Sequence, residues 1–347
     1  MVDSIKSALP QQKREWEPRV SVCRLAALTC IFAHHVIQHY DLPIDSLLAF
    51  GVQLFLCISA YLYGKSRIGG GLSFIVKNAK KLFVDYYLLI IPVIALYVLY
   101  ARGTLSRQSA LDLLLLRSFY VPGLRHFWYL PLMMFCYCIT PLLSQAADAW
   151  RGCSRLSFFL RMLFVWLLIE IASGYLSGFS KVNILCYTAF FLLSSRNPNP
   201  KTYLYLACVT TPAFLAIFFW RLLIPLEAET SQIALYFRGL GGEYSPVLLA
   251  FSAFGICYYA CTKFRLERSA LASRLLRYVD RYAYQFYLVH YIWMESPFGL
   301  MDATGNRIFN CLLAVGACAL LAVLLRSASL RVTRLAGQIF DKVRAKA

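Results

Sequence analysis

The chain has 347 residues, 60% of them hydrophobic, and a mean hydropathy of +0.59. That is far too apolar for one soluble core, and the charges avoid the long apolar runs, so composition excludes a soluble globular domain and implies a polytopic membrane protein. The formal charge of +18 would suit a nucleic-acid partner only if Lys and Arg lined an aromatic-interleaved groove; instead they fall in short connections between apolar stretches, the pattern of a positive-inside membrane protein that binds no nucleic acid.

A window of about 19 residues divides the chain into ten apolar segments, 20–40, 43–63, 82–100, 124–145, 156–175, 182–195, 203–224, 244–262, 279–296 and 308–325, the sixth being the shortest. The expectation is an all-α, multi-pass protein of about ten transmembrane helices. A basic N-terminal tail (1–19) precedes one membrane domain (20–327), and a basic C-terminal tail (328–347) follows. The first span is too long for a signal peptide and lacks a small-residue cleavage site, so it is read as retained.

The first segment carries Arg24 near its start and His34, His35 and His39 further along. Eleven residues at about 100° each return His35 to the face of Arg24, with a rise of roughly 16 Å. Ionisable groups are costly in lipid and mark a substrate path or a reactive centre. In the second segment Gly51, Ser59 and Ala60 allow close helix approach, while Gln53, Ser59 and Tyr61 offer polar groups. Lys77, Lys80 and Lys81 precede the third segment, the run His126, Phe127, Trp128, Tyr129, Leu130 opens the fourth, and Tyr284, Tyr287 and His290 form a polar stripe at three-residue spacing in the ninth.

Every second connection is rich in cations: Lys65 to Lys81, then Arg151, Arg155 and Arg161, then Arg196 and Lys201, then Lys263 to Arg281. The alternate connections mix Arg102, Arg107, Arg117, Arg125, Lys181, Arg238 and Arg307 with Asp41, Asp45, Glu227, Glu229 and Glu243. Both termini are therefore expected in the cytoplasm, which puts all five histidines in the outer half of the bilayer or at its outer face and Arg24 with the lysines on the inner side. Of the twelve cysteines only Cys153 falls in a connection, and no CxxC pair occurs, so they read as small packing residues with no structural metal or redox motif.

A basic inner rim joined to imidazoles further out suits a transfer reaction whose phosphorylated donor enters from the cytoplasm, a shape that coenzyme A thioesters have. Arg24 and the lysines would pair with the phosphates, and His35 would act as general base on an acceptor hydroxyl or, as the other option, as a nucleophile. A transporter or flippase would use the same buried groups without bond chemistry, but it favours broken spans and repeated halves, and neither is obvious. A protein that only assembles others explains neither the cations nor the histidines.

These residues resemble the acyltransferase-3 family of integral-membrane acyltransferases, which modify bacterial surface sugars and related acceptors. The family's opening pattern, Arg or Lys followed after ten residues by His, is matched by Arg24 and His35. Its second-helix signature, roughly Gly-Val-x-x-Phe-Phe-x-x-Ser-Gly-Tyr, is similar to 51–61. The pattern His-x-Trp-x-Leu is matched at 126–130, and Tyr-x-x-Tyr-Leu-x-His by Tyr284, Tyr287, Leu288 and His290. The chain departs from the family at Ala60, and at Lys77, Lys80, Lys81 and Asp85, where relatives carry Arg-x-x-Arg and then Pro. The resemblance implies an inner-membrane O-acyltransferase with no resident cofactor. Acyl-CoA, usually acetyl-CoA, would be its donor, and a surface glycan or lipid-linked sugar its acceptor. It implies His35 as the catalytic group, Arg24 and the three lysines at the donor, and a substrate pocket of Gln53, Ser59, Tyr61, His126, Trp128, Tyr129, Tyr284, Tyr287 and His290.

Overall fold

A computed structural model describes residues 16–42, 47–66, 68, 70–101, 105–117, 121–173, 181–223, 231–264 and 268–344. Asp45, Arg67, Arg102, Glu227, Glu229, Arg265 and most of the 1–19 tail lie outside these, as do the expected start of the second span at residue 43 and the ends of the fifth and seventh. The described residues are helical, with no strand among them. In chain order the helices are α1 (Pro18–His39), α2 (Gly51–Gly64), α3 (Gly71–Tyr100), α4 (Arg107–Leu114), a 3-10 turn (Arg125–Trp128), α5 (Tyr129–Ala149), α6 (Arg155–Ser173), α7 (Lys181–Ser195), α8 (Pro200–Leu223), α9 (Gln232–Phe264), α10 (Ala270–Val289), α11 (Ile292–Glu295) and α12 (Arg307–Arg344).

Each of the ten expected segments meets a helix, but length and apolarity separate them. Six helices among the described residues are long and apolar enough to cross a membrane, those within α1, α3, α5, α8, α9 and α12. At 14 and 15 residues, α2 and α7 rise only about 22 Å, short of a hydrocarbon core of about 30 Å. The ninth segment is divided between two helices: α10 carries Arg274, Arg277, Asp280 and Arg281 within its first twelve residues and ends at Val289, and a separate turn, α11, follows. The expected C-terminal tail is largely a continuation of α12, which runs to Arg344.

Three features of the fold build the site. First, α1 packs against α2, α9 and α10, and Gly51 sets how closely α1 and α2 approach. A Cβ at that position would lie 2.5 Å from Ile31 Cγ1 and 2.9 Å from the Ala27 carbonyl oxygen, so no larger residue fits at this contact. Second, the α3–α5 connection folds back onto α3. Tyr86 and Tyr87 donate to the carbonyls of Leu113 and Leu114, at 2.7 and 3.0 Å, and Tyr97 donates to that of Pro122 at 2.7 Å. Burying this connection satisfies backbone acceptors that lipid could not. Third, Tyr40 donates to the Met301 carbonyl (2.8 Å), as does Asn310 (2.7 Å), which ties the segment after α11 to the ends of α1 and α12.

Candidate active site

Two main-chain carbonyls hold two imidazoles. Gly123, at φ +73°, turns the chain towards His126, and a Cβ there would stand 2.5 Å from that of Ser296, a passage only glycine makes without strain. His126 is 4% exposed, and its Nε2 donates to the Leu288 carbonyl at 2.9 Å. The Tyr287 hydroxyl donates in return to the His126 carbonyl at 2.8 Å. His290 follows the last residue of α10, is 1% exposed, and donates from Nδ1 to the Tyr287 carbonyl at 2.6 Å. Carbonyls only accept, so these contacts assign the tautomers. They leave His126 Nδ1 and His290 Nε2 as buried nitrogens without a protein partner.

His35 reaches the same place from α1, its ring 4.4 Å from Tyr291, 5.4 Å from His290 and 5.2 Å from His34 between centroids. Gln38, one turn further along α1, puts Oε1 3.0 Å from His35 Nδ1. An amide oxygen accepts, so the proton sits on Nδ1 and the lone pair on Nε2. A cleft of ≈ 180 Å³ opens over these rings, walled by His35, Gln53, His126, Trp128, Tyr287 and Tyr291 among others. An imidazole with one nitrogen oriented by a partner and the other facing a cleft can take a proton from a hydroxyl there. Among the described residues no three His, Cys, Asp or Glu side chains are arranged to hold a metal ion.

The fold thus gathers His35, Gln53, His126, Trp128 and Tyr287 around one cleft, with His290 directly behind it. Tyr129 packs 5.0 Å from Tyr287 between ring centroids, with Ser59 next to its hydroxyl. Tyr284 points elsewhere, donating to the Leu82 carbonyl at 3.0 Å. Tyr61 belongs to another cluster. Its hydroxyl bonds Glu17 and Tyr258, both at 2.7 Å, and receives Lys65 Nζ at 2.8 Å. Glu17 precedes α1 by one residue, so this cluster is about 27 Å from His35 along the helix.

Arg24 also lies away from the cleft. Its guanidinium pairs with Asp280 on α10, whose other carboxylate oxygen accepts from Trp16 Nε1 (2.8 Å) and Ser21 Oγ (2.6 Å). Arg277 stacks on Trp16 at 4.3 Å. Lys77, Lys80 and Lys81 are exposed in the first three turns of α3, and Arg326 of α12 comes near Lys81.

Sequence reasoning passed over Gln38, Tyr291 and Asp280 as site residues, and Arg125, which also lines the cleft. An ionisable residue inside an expected span is a flag in its own right, so Asp280 could have been found that way. Gln38 lies three residues after His35 on the same helical face, where side chains meet. Tyr291 had no signal, because its place depends on the break after α10.

A match to the acyltransferase domain family, acyltransferase-3, spans residues 18–326. The chain belongs to the acyltransferase-3 family. It is an acyltransferase of the membrane, and the match takes in every helix that contributes to the cleft. No curated protein and no solved structure matches it.

Proposed function

We propose that this acyltransferase moves an acyl group, most simply acetyl, from acyl-CoA to a hydroxyl of a surface polysaccharide or lipid-linked sugar, with His35 as general base. The observation that carries the reading is the orientation of His35: Nδ1 is held by Gln38, and Nε2 is left with a lone pair at the wall of a cleft. The acceptor O–H gives its proton to Nε2, and the oxygen attacks the thioester carbonyl carbon. The C–S bond breaks, and the departing thiolate takes the proton back from His35, leaving the ester and free CoA.

Donor placement follows from length. Arg24 is eleven residues before His35, about 16 Å along α1, comparable to an extended pantetheine arm. Phosphates held at the Arg24 end by Arg24, Lys77, Lys80 and Lys81 would therefore bring the thioester to the imidazoles. With that end in the cytoplasm, as the basic connections favour, the donor comes from the cell interior and the acceptor meets the histidines in the outer half of a bacterial inner membrane.

Purified protein given acetyl-CoA and an acceptor extract should release free CoA thiol, and the surface glycans of cells carrying the gene should gain the acyl mass. His35→Ala, in a preparation that unfolds like the parent, should abolish both. Retained thiol release in that variant refutes the base. Binding of the acceptor with no thiol release by the parent would instead assign a transporter.

A further inference from the structure

Three buried acceptor atoms without partners belong to residues lining the cleft or directly behind it: His126 Nδ1, His290 Nε2 and Gln53 Oε1. The two imidazole nitrogens are the firmer pair, because each ring's other nitrogen already donates to a main-chain carbonyl, to Leu288 for His126 and to Tyr287 for His290. While the rings are neutral, neither nitrogen can become a donor without breaking that bond. Leaving such an atom dry costs about 1–3 kcal/mol, and two of them on neighbouring rings at a cleft call for a hydrogen-bond donor to offset it.

The nitrogens are placed to meet a ligand. His126 lines the cleft. The four rings in contact with His290, those of His35, His126, Tyr287 and Tyr291, at 5.4, 4.9, 5.5 and 6.0 Å between centroids, all belong to the cleft wall. His290 therefore stands just behind it, where a group at the bottom of the cleft would arrive. Such a group must bring hydrogen, since lone pairs repel carbonyl, carboxylate and phosphate oxygens.

We infer that His126 and His290 read the acceptor by taking hydrogen bonds from two of its hydroxyls, beside the hydroxyl that His35 activates. The ligand class is then an uncharged polyol ring with at least two free hydroxyls besides the reacting one. A ring bearing a carboxylate, phosphate or acylated oxygen at those positions is rejected. The inference rests on the proposed function only for the reacting hydroxyl; the recognition of the other two stands by itself.

The test uses the full chain in nanodiscs. Probes are methyl glucoside, galactoside and mannoside, each with its monodeoxy and deoxyfluoro derivatives. Fluorine keeps the size and the lone pairs of the hydroxyl but has no hydrogen to give. Binding is followed by the fluorescence of Trp128, which is 41% exposed at the cleft, with Trp128→Phe as the blank. For the glycoside that binds best, two ring positions should each weaken binding about 10–100-fold on loss of the hydroxyl, and fluorine should not restore it. His290→Phe should erase the penalty at one position and His126→Phe at the other.

Recovery of binding by the fluoro sugars, or penalties unchanged in both variants, overturns the inference, the second outcome assigning the nitrogens to a trapped water. Stoichiometric zinc binding lost in His126→Phe would overturn it in favour of a metal, and so would the failure of every glycoside to bind. The analogue series on the unmodified protein needs no variant to fold. Thiol release is scored separately, so a protein that discriminates the sugars but never frees CoA refutes the proposed function alone.

Discussion

Substitution of Asp280 is the most informative perturbation of the fold, because one carboxylate joins three partners. It pairs with Arg24 and accepts from Trp16 and Ser21, and the Arg24 and Asp280 side chains are 23% and 17% exposed, neither dry nor fully screened. A hydrogen bond to a charged group contributes about 1.5–3 kcal/mol, and bonds that share an acceptor do not add. Asp280→Leu, which also strands the Arg24 guanidinium, should therefore cost about 3–5 kcal/mol in reversible unfolding from mixed micelles. Arg24→Met leaves the carboxylate its two other donors and should cost about 2–3 kcal/mol. The double variant, with no unpaired charge, should fall short of the sum by about 2 kcal/mol. Additivity within about 0.5 kcal/mol would refute the coupling. The double variant also separates two roles for Arg24: retained activity makes it a strut, while a raised KM for acetyl-CoA makes it a phosphate anchor as well.

Other expected outcomes follow from the contacts around the cleft. Gln38→Leu frees the His35 ring and should lower kcat about 10–100-fold with KM for both substrates unchanged; an equal rise in KM would place Gln38 on the substrate instead. Gly51→Ala forces α1 and α2 apart at Ala27 and Ile31 and should cost about 1–3 kcal/mol of stability, read in the same micelle unfolding, and a neutral result would mean that the helices slide freely. Neutralising Lys77, Lys80 and Lys81 together to Gln should raise KM for acetyl-CoA and flatten its salt dependence without changing kcat; an unchanged KM would remove them from the donor.

Much of the helical architecture was legible because burying apolar residues between polar connections leaves a plain mark in sequence. The limits of that mark explain the differences. Hydropathy alone could not see that the ninth segment breaks at His290, since the apolar run continues through Tyr291, Ile292 and Trp293. Nor could it tell α2 and α7, apolar but short, from full spans. At the site, His35 and His126 come from segments 91 residues apart, and their meeting depends on the folding-back of the α3–α5 connection, which no periodicity encodes. Tyr61 looked like a pocket residue because it shares a helix with Gln53, but eight residues along a helix is about 12 Å, enough to carry it into the Glu17 cluster.

The reciprocal bonds between the turn bearing His126 and the end of α10, imidazole to the Leu288 carbonyl one way and the Tyr287 hydroxyl to the His126 carbonyl the other, lock that wall of the cleft as a single plate. On the opposite side α1 is clamped at its Arg24 end but held at its other end by the Tyr40 hydroxyl and by the contact of His39 Nε2 with Asp302 at 2.9 Å, whose side chain is 77% exposed. His35, the proposed base, therefore rides on the side tied by fewer contacts. With His35 as the proposed base, cross-linking the His39 end of α1 to the segment after α11 should exclude large acceptors while leaving small ones their access.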